Sequence, residues 1–172
     1  KDGHPTSFGK ELSRFSGSGS AAGAIAIMYA DRLGCVPEVA TILALLEGTR
    51  LIGRDSLLAD SYDWPDEWRV EAATRHRAIA SLAEDDAHLV LLISGAWERA
   101  DPNVPPWDES KDRRTWARLW WINNDVLLEA AKKRQSALSA LSPAMKEEVK
   151  RFVEPSLLNR ARGVLARAMG LF

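Results

Sequence analysis

Between Gly34 and Gly48 the chain reads Gly-Cys-Val-Pro-Glu-Val-Ala-Thr-Ile-Leu-Ala-Leu-Leu-Glu-Gly, and this stretch constrains the fold more than any other. Gly34 closes the preceding segment, Pro37 stands where a helix can begin, and Gly48 stops it. Proline is cheap at a first helical position because the N–H it lacks would have had no partner there. Val39, Ala40, Ile42, Leu43, Ala44, Leu45 and Leu46 leave almost no polar face. A helix apolar nearly all round is buried. At about 12 residues it falls short of the roughly 20 that a membrane span needs. The stretch is therefore expected to be the central helix of an α-helical core.

The rest of the chain fits around that helix. With 172 residues, 46% of them hydrophobic and seven tryptophans, there is material for one domain or two small ones with a real core. Neither a signal peptide nor an 18-residue apolar run is visible, so the expected location is cytoplasmic, with no membrane partner. Cys35, the single cysteine, reads as a small packed hydrophobe. The opening residues, Lys1-Asp2-Gly3, look like the middle of a longer protein.

The net charge of −1 hides an asymmetry: residues 1–110 hold 10 Lys+Arg and 18 Asp+Glu, whereas residues 111–172 hold 13 and 6. Two readings stand. Either the second half meets a polyanion, or the halves attract each other.

Along the chain, Thr6 or Ser7 can cap a short helix from Phe8 to Phe15, followed by a flexible joint, residues 16–20. Gly17-x-Gly19-x-x-Ala22 superficially fits a dinucleotide fingerprint, but no strand precedes it, so it reads as linker. A helix is expected over Ala21–Leu33, with Gly34 as a left-handed cap. Residues 49–64 read as irregular or briefly helical, and Pro65 then opens a helix to about Ala83 carrying an exposed His76. Asp85 or Asp86 caps the next helix, Ala87–Ala100, whose apolar face is Leu89, Leu92, Ile93, Ala96 and Trp97. Residues 101–106 break the pattern. Lys111–Leu141 is mostly helical, interrupted at Asn123-Asn124-Asp125. Leu127, Ala131, Leu138 and Leu141 form a stripe on which Arg134 also falls, and a charge there asks for a partner. Two further helices start at Pro143, capped by Ser142, and at Pro155. No strand-like alternation of useful length appears, so the class is all-α, a multi-helix bundle.

Several of these stretches, in order, resemble the helicase-associated region that follows the motor domains of DEAH-type helicases. Residues 6–15 resemble the segment leading out of that family's winged helix. Ala30-Asp-Arg-Leu-Gly-Cys35 with residues 38–46 resembles its strongest signature. Asp86-Ala-His-Leu-Val-Leu-Leu92 followed by Ala96-Trp97 is similar to its second. Trp116, Trp121-Ile-Asn123, Leu127, Ala130 and Arg134 resemble its third, and Gly163–Phe172 resembles the approach to an oligonucleotide-binding barrel. Asp125 stands where family members often carry arginine, and Trp120 where they often carry asparagine.

The resemblance implies residues 1–20 as the end of a winged-helix-like segment and linker, and residues 21–172 as a ratchet-like helical domain. It implies an accessory part of an ATP-dependent helicase that closes one side of a single-strand channel beside motor domains and an oligonucleotide-binding barrel. ATP and Mg would belong to the motor domains. In this chain Gly9-Lys10-Glu11 lacks the loop and hydroxyl of a phosphate cradle, so no catalytic, cofactor or metal residue is expected.

For nucleic acid, Lys132, Lys133 and Arg134 can reach phosphate, and Arg113, Arg114 and Arg118 add charge one helix earlier, with Asn123 between. Against this, the lysines also fit a solvated face. Trp116, Trp120 and Trp121 can stack bases or pack in the core. His88, beside Asp85 and Asp86, reads as a local cap rather than a catalytic base. The alternative function is a helical protein-interaction module, docking a partner through the acidic half or through residues 102–106 with an exposed Trp107.

Overall fold

A computed structural model describes residues 6, 9, 10, 21–46, 52–53, 56–59, 64–139 and 151–168. It is all-α. Seven helices account for most of the described chain: α1 Ala21–Leu33, α2 Val36–Leu46, α3 Asp66–Ala80, α4 Asp86–Arg99, α5 Lys111–Leu119, α6 Asn124–Ser139 and α7 Leu158–Ala168, the last entered through a 3-10 turn, Pro155–Leu157. The linker, the fingerprint-like stretch up to residue 20, the expected Phe8–Phe15 helix apart from Gly9 and Lys10, Leu141 and the helix expected at Pro143 lie outside the described residues. Of that first helix, Thr6 Oγ1 accepts from the Gly9 amide at 3.0 Å, the bond a capping threonine makes.

The α1–α2 turn follows from its residues. Gly34 takes φ 64°, the left-handed conformation that terminates a helix with little strain only in glycine. Cys35 is fully buried immediately after it. Helix α2 then runs through the middle of the molecule. Val36, Val39, Ala40 and Ile42 belong to one apolar cluster, with Ala26, Ile27 and Ala30 of α1 and Ala161 and Val164 of α7. Leu45 belongs to a second, with Leu57, Leu58, Ile93, Trp97, Leu127 and Ala131. Helix α4 also serves both: Leu91 faces the first cluster, Leu89, Val90 and Ile93 the second. So α2 and α4 form the spine of the fold.

Three expectations change. The apolar face of α4 was expected through Leu92 and Ala96, yet Leu92 is half-buried and Ala96 exposed, while Val90, Leu91, Ser94, Gly95 and Glu98 are buried. The reason is that α4 packs against α2 on one side and against α5 and the Pro155 turn elsewhere, so burial wraps beyond a single stripe. Residues 49–64 are not simply irregular: Ile52–Gly53 and Leu58–Ala59 pair in parallel, and Leu58 bridges to Ile122. Trp107 is not an exposed loop tip. It is partly buried and packs against both clusters.

A strap formed by residues 151–154 crosses the helices, and two buried glutamates hold it. Glu38 of α2 accepts from the Glu154 amide at 2.9 Å and from Arg151 at 3.0 Å. Glu98 of α4 accepts from the Val153 amide at 2.8 Å. Buried carboxylates are tolerated only when partnered in this way. Among the described residues, no helix is long and apolar enough to cross a membrane.

Candidate nucleic-acid interface

The break between α5 and α6 shapes the candidate site. Helix α5 starts on Ser110, whose Oγ accepts from the Arg113 amide at 3.2 Å, and ends at Trp120. Trp121 then takes φ 54°, the one non-glycine residue in the left-handed region among those described. Such a conformation in a bulky residue persists only where its surroundings fix it. Here they do. The Trp121 carbonyl accepts from the Ala59 amide at 3.0 Å and from His76 Nε2 at 2.8 Å. Its ring lies 4.9 Å from that of Trp64 and 5.9 Å from that of Trp68, centroid to centroid. His76 is therefore a part-buried positioning group, not the exposed histidine expected from sequence; its ring must carry the proton on Nε2 to donate to that carbonyl.

Helix α6 begins two residues later. Asn123 Oδ1 accepts from the Asp125 amide at 3.1 Å and the Val126 amide at 3.3 Å, capping the helix, and the Asn123 amide donates to the Leu57 carbonyl at 2.9 Å. Against this corner opens a groove of about 450 Å³, lined by Trp64, Trp121, Arg114, Arg118, Asn123 and Asp125 among others. Arg114 is exposed and pairs with Glu109 at 2.7 Å. Arg118 is exposed one turn further along the same helix. The fold thus gathers three residues proposed from sequence, Arg114, Arg118 and Asn123, around aromatic walls. Trp64 was missed because it lies 57 positions before Trp121 in the chain, and only the parallel pairing and its bridge to Ile122 bring that region to the α5–α6 corner.

Lys132 and Lys133 are exposed on α6. Lys132 follows Asp125 by seven residues, so it lies on nearly the same helical face, about 10 Å along the axis. It extends the groove's surface as a cation two turns away, with Glu129 intervening.

Arg134 and Arg113 do not belong to this surface. Arg134 is 1% exposed, donates to Glu98 at 2.7 Å and to Thr41 Oγ1 at 3.1 Å, and so completes the core beneath α2 and α4. Arg113 is fully buried. It lies over the Trp97 ring, 4.9 Å from its centroid, and donates to the carbonyls of Val104 and Pro105, tying down the proline-rich turn. Burial pushes its guanidinium below the ordinary arginine value, while Asp101 and Glu98 act in the opposite sense. Helical spacing already set Arg134 on an apolar stripe, but it gave no such sign for Arg113, which only the facing Trp97 and the proline-rich turn cover.

Trp116 and Trp120 are half-buried against the second cluster, ring centroids 6.3 Å apart, as core packing would place them. His88 is a local cap: its Nδ1 accepts from the Glu84 amide at 3.2 Å, and its own amide donates to Asp85 Oδ1 at 2.8 Å. Burial tends to raise the Asp85 carboxyl pKa. The His88 amide and the Arg162 guanidinium outweigh it and hold the group below its ordinary value. No group of metal-binding side chains occurs among the described residues. No family model matches the chain, and no curated protein or solved structure does either.

Proposed function

We propose that the chain is a non-catalytic helical module that binds single-stranded nucleic acid, the part its resemblance to the helicase-associated region of DEAH-type helicases implies. One observation carries the reading: the tryptophan-walled groove that brings Arg114, Arg118 and Asn123 together at the α5–α6 corner. Single-strand binders combine cations that follow the phosphates with aromatic faces on which bases stack, and stacking tolerates any base. Arg118, Lys132 and Lys133 supply exposed charge, and Trp121 supplies a ring whose backbone is pinned. In the whole protein this surface would line one side of a strand channel. Motor domains using ATP and Mg would move the strand, an oligonucleotide-binding barrel would pack nearby, and the setting would be cytoplasmic.

The test is a titration of fluorescent single strands, RNA and DNA, at several salt concentrations. Affinity should fall with salt with a log–log slope of about −0.7 per phosphate neutralised. Arg118→Glu and the pair Lys132→Glu, Lys133→Glu should each weaken binding and flatten that slope. Absence of binding at high micromolar protein, or binding indifferent to salt and to both variants, would contradict the proposal.

A specific feature favours the alternative of a protein-docking module. Trp68 and Val70 of α3 and Leu82 just after it are 50%, 65% and 70% exposed. That reading no longer draws on Trp107, and it expects no strand binding in the same titration.

A further inference from the structure

We infer that Asp125 makes the groove selective for bases that present hydrogen-bond donors on their pairing edge, guanine foremost, an inference that rests on the single-strand reading above. The groove is not uniformly basic. Arg114 and Arg118 reach it from α5, whereas Asp125, in the first turn of α6, contributes a carboxylate to its lining. The acid is in keeping with its helix position, since a negative charge suits a helix N-terminus. Its side chain is lightly engaged: Oδ1 accepts from Asn124 Nδ2 at 3.5 Å, a long bond, and its amide is already taken by Asn123 Oδ1. The neighbouring Asn124 is fixed by the Trp97 indole, whose Nε1 donates to its Oδ1 at 3.1 Å, and Asn123 Oδ1 is committed to the cap. Among the described residues of the lining, Asp125 is thus the strong acceptor left facing the groove.

The consequence is an orientation. A phosphate next to a carboxylate is repelled, so a nucleotide in the groove turns its phosphate toward Arg114 and Arg118 and its base toward Asp125, with the ring against Trp121. A carboxylate accepts and does not donate. Guanine offers N1–H and the N2 amino group side by side, matching both carboxylate oxygens. Adenine and cytosine offer one amino group each. Uracil and thymine offer a single N3–H flanked by two carbonyls that repel the carboxylate. Base-edge pairs of the bidentate kind discriminate by about tenfold or more, whereas stacking on tryptophan alone would leave the bases nearly equal.

The experiment uses the 172-residue chain and short fluorescent single strands of uridine, or of thymidine, in which one central base is guanine, adenine, cytosine or unchanged. The guanine strand should bind about tenfold more tightly than the unchanged strand, with adenine and cytosine between. In Asp125→Asn, which keeps the shape and can no longer accept through two anionic oxygens, that ratio should fall below about twofold while the unchanged strand binds at least as well as before. Circular dichroism confirms that α6 is intact. Equal binding of all strands by the natural chain, or a guanine preference that survives Asp125→Asn, would overturn the role of Asp125 and leave the single-strand reading standing. Failure of every strand to bind would overturn both.

Discussion

Arg134 shows how much one side chain decides. Its place on an apolar stripe of α6 could be read from the sequence, and with it the need for a partner, but not the partner itself. Glu98 is 36 positions away on a different helix. The pair is buried, at 1% and 2% exposure, and Glu98 also holds the Val153 amide. Removing one member strands the other charge away from water. Arg134→Met should therefore destabilise the fold by about 3–5 kcal/mol. Adding Glu98→Gln, which keeps a carbonyl oxygen for Val153, should recover much of that loss. Urea unfolding of the two single variants and the double variant measures the coupling. Additive effects, or a cost under about 1 kcal/mol for Arg134→Met, would show that the pair does not carry the core as described.

At the scale of elements, punctuation was the most legible feature. Gly34, Pro65, Asp85, residues 101–106 and Pro155 all mark boundaries because their backbone and capping chemistry is local. Burial on α4 was less legible because tertiary neighbours, not periodicity, cover Gly95 and Ser94. The strap over Gly95 had no sequence signal except two glutamates in otherwise apolar helical faces. A Cβ on Gly95 would lie 2.9 Å from the Val153 carbonyl oxygen and 2.8 Å from Arg99 Nη1. The arginine can move aside, but the strap backbone is anchored by Glu38 and Glu98. Gly95→Ala should lower stability by about 1–3 kcal/mol. On α7, Gly163 meets nothing within 4 Å, and Gly163→Ala should instead stabilise, by up to about 1 kcal/mol. Thermal melts of both variants give the contrast. Equal effects would mean that the strap does not press on α4.

For the molecule as a whole, the charge asymmetry has an internal use. Arg134 with Glu98, Arg151 with Glu38, and Arg162 with Glu84 and Asp85 all join the basic half to the acidic half. Part of the polarity seen in the sequence therefore holds the two halves together around the α2–α4 spine. Among the cations left exposed, Arg114 and Arg118 at the groove and Lys132 and Lys133 beyond it form the surface on which the functional reading rests. Ultraviolet cross-linking of a single strand carrying 4-thiouridine, followed by peptide mass spectrometry, tests that reading most directly. Adducts should map to peptides containing Trp121 and Trp64, and they should vanish in Trp121→Ala while the helical content is unchanged. Adducts confined to other surfaces, or undiminished in Trp121→Ala, would contradict the groove as the nucleic-acid interface.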